Sequence, residues 1–561
     1  MSTGKSRIVP GRYPEPGTDP VADAIRKRRG DRGITPLDAN LLHIPGIASG
    51  YNSMLGAIRT QGKLPGDIRE AMILRIAALN HAAFEWIQHE PIGRKEGLTT
   101  GQLYVIRDTE TPLPTQTNVL DAFQTAAVAF TDHNTRGAKV PWEVVQELKS
   151  RIKDWVLGNS SSDGTAVDDK VDDLYVEAAM VVASYNMVSR FLLSTDVAGL
   201  SETEVPWPLE RKEHFISIPS FASEDPLAPP SHTHTIHAVT LITSPKAPWL
   251  VFCNSLLTNH TMWDYVVPNL LDLSSSHGPA DGENLTYNIL VHSQRGHGRS
   301  SLPPASTTED KRLTTIPSLA HDVAHLLKAL SIPTPVRSVI GVSQGGAAAL
   351  AFAALYGKDP DNPLTHTIVA CDTSSRTPTG NKEAWEERIR LVLGPNHDAN
   401  GETIDSEYAR RIGMISLANA TVPRWFPPGS LLSSTSGEGA ARAHWVKSMV
   451  ENTDVEGFIH GARALSDYYI SSNDLFKTRV KSVLLLAGKL DGNGKVGKGL
   501  KELATKWKTA ISEAKKSDDT QAGLMGNSNV QFVEIEASGH LPMIDSPLRF
   551  YETLARFLTE I

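Results

Sequence analysis

The segment Gly341-Val342-Ser343-Gln344-Gly345 constrains this chain more than any other. It reads G-x-S-x-G, directly after the apolar run Val336–Ile340 and before the Ala-rich run Ala347–Leu355. That order predicts a strand that turns sharply into a helix. Small residues must flank the serine because the turn is so tight, and Ser343 is then presented at the top of a sheet. The helix that follows points its N-terminal N–H groups at whatever reacts with the hydroxyl.

At 561 residues the chain exceeds one ordinary core, so two or more domains are expected. An apolar fraction of 40% and a charged fraction of 21% fit a water-facing globular protein. The net charge of −8 argues against a nucleic-acid partner and against an anionic membrane surface, because no basic excess replaces counterions. Two cysteines, Cys253 and Cys371, exclude a disulfide framework and suggest a reducing compartment; both lie in strand-like apolar runs and read as buried thiols. Met1–Pro20 is polar and carries no signal-peptide run, and no window approaches a membrane span. A cytoplasmic location is the resulting expectation.

The first third reads as all-helical. Asp67–Ala83, Val119–Phe130, Trp142–Val156 and Asp172–Leu193 carry apolar residues at helical spacing, and no alternating strand pattern precedes about residue 213. Polar breaks fall at 158–169 and 200–208; Pro206 and Pro208 place a domain boundary there, giving 1–205 and 206–561. Beyond it, short β-rich runs at Ile236–Thr243, Trp249–Asn254, Tyr287–His292, Val336–Ile340, Thr365–Cys371, Val480–Ala487 and Val530–Ile535 alternate with helical stretches. This predicts a doubly wound, mostly parallel sheet. Residues 374–478 contain no strong strand and carry Trp385, Trp425 and Trp445, which suits a helical lid. Gly492–Asn529 reads as a polar, Lys-rich surface insertion.

A serine nucleophile needs a base and an orienting acid, which in such a sheet follow in the order Ser, acid, His. Asp491 follows the run Val483–Ala487 and His540 follows Val530–Ile535, so both fall just past strand ends, where catalytic side chains collect. The oxyanion needs two N–H groups: that of Gln344 and one from the loop Asn254-Ser255-Leu256-Leu257, assigned to Leu256.

This half resembles the 3-oxoadipate enol-lactonases of the α/β-hydrolase fold. The resemblance rests on Asn254–Thr258, Met262-Trp263-Asp264, Arg295-Gly-His-Gly-Arg-Ser300 and Gly341–Gly346. It extends into the lid at Ala384-Trp385, Arg388-Ile389, Gly413-Met414 and Arg424-Trp425-Phe426-Pro427. It implies lactone hydrolysis without a cofactor, with Arg388, Arg424 and Trp425 as substrate-binding candidates. Ser293 departs from the Asp common at that position, which puts the geometry of its loop in question.

Glu85 and His89 lie four apart on a predicted helix, Asn80–Gln88, and share a face. With Arg69-Glu70, Leu74-Arg75, Asn80, Phe84-Glu85-Trp86, His89, Pro91-Ile92 and Gly97-Leu98-Thr99 they resemble the carboxymuconolactone decarboxylase family, an AhpD-like helical domain. Gly93 stands where that family commonly has Ala. No cysteine precedes residue 253, which excludes thiol peroxidase chemistry, and no metal-ligand set is evident. The resemblance implies decarboxylation with His89 as proton donor and Glu85 orienting it. Glu70 is a supporting acid, Arg94 a carboxylate-binding candidate, and the assembly a homo-oligomer through the helical domain. Together the two halves point to consecutive steps of one aromatic-catabolic route acting on a small lactone. Two alternatives stay open: a different ester or lactone hydrolase with a non-catalytic helical scaffold, and a ligand-sensing module without turnover.

Overall fold

The computed structural model describes residues 5–113, 118–159, 164–220, 232–272, 286–304, 314–359, 363–394, 406–433, 437–516 and 528–560. Parts of the expected polar breaks and of the 492–529 stretch fall outside these. The chain divides into two compact units, Met1–Pro208 and Leu209–Ile561.

The first unit is helical: α1 (Pro20–Arg29), α2 (Pro36–Leu41), α3 (Pro45–Thr60), α4 (Gly66–Leu79), α5 (Ala83–Lys95), α6 (Thr100–Arg107), α7 (Ala122–Gly137), α8 (Trp142–Asn159) and α9 (Gly164–Ser194). The first three open on proline at the first helical position, where its missing N–H costs no hydrogen bond. Helix α4 is buried all round from Glu70 to Ala78 and serves two cores. Ile68, Met72, Ile73 and Ile76 face one, and Ala71, Leu74, Ala77 and Ala78 the other. Its buried Arg75 is neutralised by a bidentate pair to Asp132 at 2.6 and 2.8 Å.

Helix α5 starts later than the sequence suggests and runs through Pro91 to Lys95. Gly93 lets it settle on α4, because a Cβ there would lie 3.0 Å from Leu98 and 3.1 Å from Leu74. The departure from Ala therefore admits this close contact. Helix α9 does contain a stretch, Val167–Ser194, long and apolar enough to cross a membrane, against the reading above. Its Val171, Leu174, Ala178, Val181, Val182 and Tyr185 lie in the unit's core, which is the packing of a core helix.

The second unit holds an eight-stranded sheet in the order β1-β2-β4-β3-β5-β6-β7-β8. The strands are β1 (Glu210–Ser220), β2 (His232–Ile242), β3 (Trp249–Cys253), β4 (Asn288–His292), β5 (Val336–Val342), β6 (Thr365–Cys371), β7 (Ser482–Gly488) and β8 (Asn529–Ile535). From β4 to β8 neighbours are parallel, while β1 and β2 join antiparallel. Strands β4 and β7 are buried along their whole length, as parallel strands covered on both faces must be. The sequence reading missed β1, an edge strand whose exposed residues include the charged Glu210, Lys212 and Glu213.

Helices α10 (Val267–Leu271), α11 (Ile316–Ala329), α12 (Gln344–Tyr356), α13 (Asn381–Leu393), α14 (Ser406–Trp425), α15 (Gly437–Glu451), α16 (Val455–Ser466), α17 (Ser472–Phe476), α18 (Lys495–Lys516), α19 (Pro542–Asp545) and α20 (Pro547–Thr559) complete the unit. Between β6 and β7, α13–α17 form the expected helical stretch. It is tied to the sheet by Gln344, whose Nε2 donates to the Gly461 carbonyl of α16 at 2.7 Å. The supposed surface insertion is corrected: α18 connects β7 to β8 and buries Leu500, Ala504, Trp507 and Ile511. Lys495, Lys498, Lys501, Lys506 and Lys508 are exposed to solvent.

Candidate active site

Ser343 caps α12 with φ 56° and ψ −118°, a left-handed backbone that strands and helices do not use. The turn closes because Gly345 has no side chain: a Cβ there would lie 2.4 Å from the Cys253 carbonyl oxygen. The serine's own N–H donates to the Cys371 carbonyl at 2.8 Å, and its carbonyl accepts from Thr373 Oγ1 at 2.7 Å. The elbow is thus fastened to the end of β6. Strands β5 to β8 are consecutive parallel neighbours, so Ser343, Asp372, Asp491 and His540 follow their carboxyl ends along one edge.

His540 Nδ1 lies 2.8 Å from Asp491 Oδ2. The His540 N–H donates to the Trp425 carbonyl at 2.8 Å, and the Trp425 ring stacks on the imidazole at 5.8 Å and 25°. Burial works to raise Asp491. The charge of His540, hydrogen bonds from His540 and Asp372, and Arg424 outweigh it and hold the carboxyl below its usual range. This fixes one nitrogen of the ring and leaves Nε2 for chemistry.

The Gln344 and Leu256 N–H groups have no acceptor among the described residues. Leu256 sits in the loop after β3, the strand beside β5. Sequence reasoning missed what shapes that loop. Asn254 Nδ2 donates to the Thr258 carbonyl at 2.7 Å, and Asn254 Oδ1 accepts the Gln294 N–H at 2.8 Å. The Leu257 N–H donates to His297 Nε2 at 3.1 Å, and burial holds His297 down to about 4, so that nitrogen stays an acceptor. Ser293 keeps its loop anchored, with Oγ accepting the His260 N–H at 3.2 Å.

Arg388 lies over the Trp385 ring at 4.4 Å. Burial, with repulsion from Arg424, brings its pKa down to about 10. Arg424 in turn lies within electrostatic reach of Asp491. Arg424 therefore stands near both Arg388 and the acid of the dyad. Neither arginine has a carboxylate at salt-bridge distance among the described residues.

Asp372 was also missed. Its signal was the one used for Asp491: an acid just past an apolar strand. Asp372, Asp491 and His540 bring one ligand-type atom each within 4.8 Å of one another. The atoms a metal would take from Asp491 and His540 already bond each other, so the set fits acid–base work.

In the first unit a cavity of about 220 Å³ is lined by Glu85, His89, Arg28, Arg29, Arg32 and Arg59, among others. The expected Glu85–His89 pairing is corrected. His89 Nδ1 bonds Glu70 Oε2 at 2.7 Å, whereas Glu85 Oε2 accepts from Ser189 Oγ at 2.8 Å and its Oε1 is buried without a partner. Burial raises Glu85 well above the carboxylate range, against the Ser189 hydrogen bond and Arg59. Burial also lowers His89, against Glu70. Arg94 is corrected too: it pairs with Glu90 at 2.9 Å and donates to the Pro208 carbonyl, and it does not line the cavity. The four arginines that do were not foreseen.

Residues 250–553 match the alpha/beta hydrolase family. The chain belongs to that family. This hydrolase is 27% identical over 187 residues to 3-oxoadipate enol-lactonase 2 of Acinetobacter baylyi, covering 33% of the chain and 53% of that relative. The match thus spans about half of that relative's length. It is 24% identical over 316 residues to 3-oxoadipate enol-lactonase 1 of the same organism, covering 56% of the chain and 90% of the relative. Among solved structures, the enol-lactonase of Burkholderia xenovorans aligns at 24% identity over 58% of the hydrolase and 97% of that chain, with a TM-score of 0.40.

Proposed function

We propose that the second unit opens a carboxylated enol-lactone of the 3-oxoadipate type through a serine acyl-enzyme. The observation that carries this reading is the Asp491–His540 contact at 2.8 Å, on the same sheet edge as the elbow serine. Ser343 Oγ attacks the lactone carbonyl and its proton passes to His540 Nε2. The Gln344 and Leu256 N–H groups receive the oxyanion. The ring oxygen departs as an enolate, takes the proton from His540 and ketonises, which draws the opening forward. Water, deprotonated by His540, then releases the acid from Ser343. Arg388 and Arg424, cations without a carboxylate at salt-bridge distance among the described residues, suit the substrate's distal carboxylate, and the two enol-lactonase relatives support the substrate class.

We further propose that the first unit decarboxylates a carboxymuconolactone. Its carboxylates would face the arginine-lined cavity, and the bond to one breaks as electrons flow into the unsaturated ring. With Nδ1 of His89 on Glu70, the proton available to the resulting carbon is that of Glu85, which replaces His89 as donor in this reading. Copies of the chain are proposed to associate through α9, where Val176, Met180 and Met187 are 64%, 44% and 45% exposed at helical spacing.

The deciding experiment follows carbon dioxide and lactone on one carboxymuconolactone sample. Ser343→Ala should accumulate enol-lactone, and Glu85→Gln should stop carbon dioxide release while sparing ring opening of supplied enol-lactone. Retention of both activities by both variants would refute the assignments. Turnover by the hydrolase alone would favour a non-catalytic helical unit.

A further inference from the structure

Two carboxyl groups stand behind His540. Asp491 takes the Nδ1 contact at 2.8 Å. Asp372, from the end of the neighbouring strand β6, is 3% exposed and lies within 4.8 Å of both partners by their polar atoms. Its backbone adopts φ 43°, a left-handed value that costs energy outside glycine. The conformation is held by its own N–H on the Leu486 carbonyl at 2.9 Å. Its side chain accepts the Gly488 N–H at 2.9 Å and the Cys371 thiol at 3.0 Å.

So small and dry a space does not tolerate two ionised carboxylates, and one of them holds a proton. Asp491 faces His540 and Arg424, both of which favour its charged form. Asp372 faces the Cys371 thiol, the Gly488 N–H and Asp491 itself. The negative charge therefore settles on Asp491 and the proton on Asp372. Burial, then the charge of Asp491, raise Asp372 and outweigh the Cys371 and Gly488 hydrogen bonds, which favour its charged form.

We infer that Asp372 is a positioning residue: a neutral carboxylic acid at physiological pH that donates a hydrogen bond to Asp491, so that His540 faces one fixed negative charge. This rests on the hydrolytic reading of Ser343, His540 and Asp491. The hydrogen bond locks the Asp491 carboxylate in the orientation that holds the imidazole. Only one charge then opposes His540. None of the resemblance-bearing motifs includes this position.

The test uses the full chain and p-nitrophenyl acetate as the probe ester. Ser343→Ala first checks the hydrolytic reading; turnover that survives it sinks that reading and this inference with it. With the reading secure, the acid limb of kcat/KM against pH is compared for Asp372→Asn and Asp372→Ala. In Asp372→Asn the amide oxygen takes the Gly488 N–H and the amide N–H faces Asp491, so the donor is restored. The acid limb should stay at its wild-type pH, and kcat should fall less than in Asp372→Ala, where the limb should move to higher pH. A shift of the Asn limb to lower pH by about one unit or more would mean that a negative charge had been removed, and would overturn the proposal. Independently of activity, the infrared difference spectrum of wild type minus Asp372→Asn at neutral pH should contain a protonated-carboxyl band, which Glu85, unchanged in both, cannot supply. Its absence would overturn the proposal as well.

Discussion

Replacing Arg388 by Ala should separate anionic from neutral substrates. The guanidinium is half-buried on α13, lies 4.4 Å over Trp385 and is repelled by Arg424. A cation withdrawn from water without a carboxylate beside it is unfavourable unless a ligand provides one. A hydrogen bond to a charged group contributes about 1.5–3 kcal/mol. At about 1.4 kcal/mol per decade, the variant should lose roughly 10–150-fold in kcat/KM on a carboxylated enol-lactone. A neutral ester, which never used the cation, should be little affected. The assay is initial rates on both substrates at pH near 7, with circular dichroism to confirm folding. An equal loss on both substrates would show that Arg388 merely supports Trp385. No loss on either would place the substrate carboxylate elsewhere.

Glu85→Gln should stabilise the first unit at neutral and alkaline pH. The folded state holds Glu85 protonated above its unfolded value of about 4.3, so stability falls as pH rises from there to the raised folded value. The gain from Gln should be near zero at pH 4 and grow by about 1.4 kcal/mol per pH unit across that window; thermal melts at several pH values would show it, and a pH-independent difference would contradict it. Arg75→Ala leaves Asp132 without its partner inside the helical unit and should cost about 3–5 kcal/mol, read by denaturant unfolding. Paired charges at Met180 and Met187 (Met180→Lys with Met187→Lys) should lower the molar mass measured by light scattering. An unchanged mass would remove α9 as the contact between copies.

Patterns that act within a few residues of each other are legible in the sequence alone. The elbow was visible because a strand-former run, two obligatory glycines and a helix-former run coincide over 20 residues, Val336 to Leu355. Asp491 and His540 were visible because open sheets deliver side chains at strand ends. Asp372 meets the same criterion, but the order Ser, acid, His calls for one acid, and Asp491 fills it. Strand β1 was hidden by its charges, which lie on the solvent side of an edge. Helix α18 was hidden by lysines that dominate its composition, although Leu500, Ala504, Trp507 and Ile511 recur at helical spacing beneath them.

The partner of His89 belongs to another class of question. Spacing within α5 favoured Glu85, four residues away, and that geometry does place both groups on one cavity. What decides the hydrogen bond is how α4 crosses α5. The crossing depends on Gly93 admitting Leu74 and Leu98, and it brings Glu70 to Nδ1 from 19 positions upstream. Once Glu70 holds the imidazole, Glu85 is released from orienting it and is left buried with a free oxygen, which is what makes it an acid rather than a counter-ion. The chemical role of each residue in the pair thus follows from a helix contact made by neither of them, and an Ala at position 93 that disturbs the contact should weaken His89 and Glu85 together.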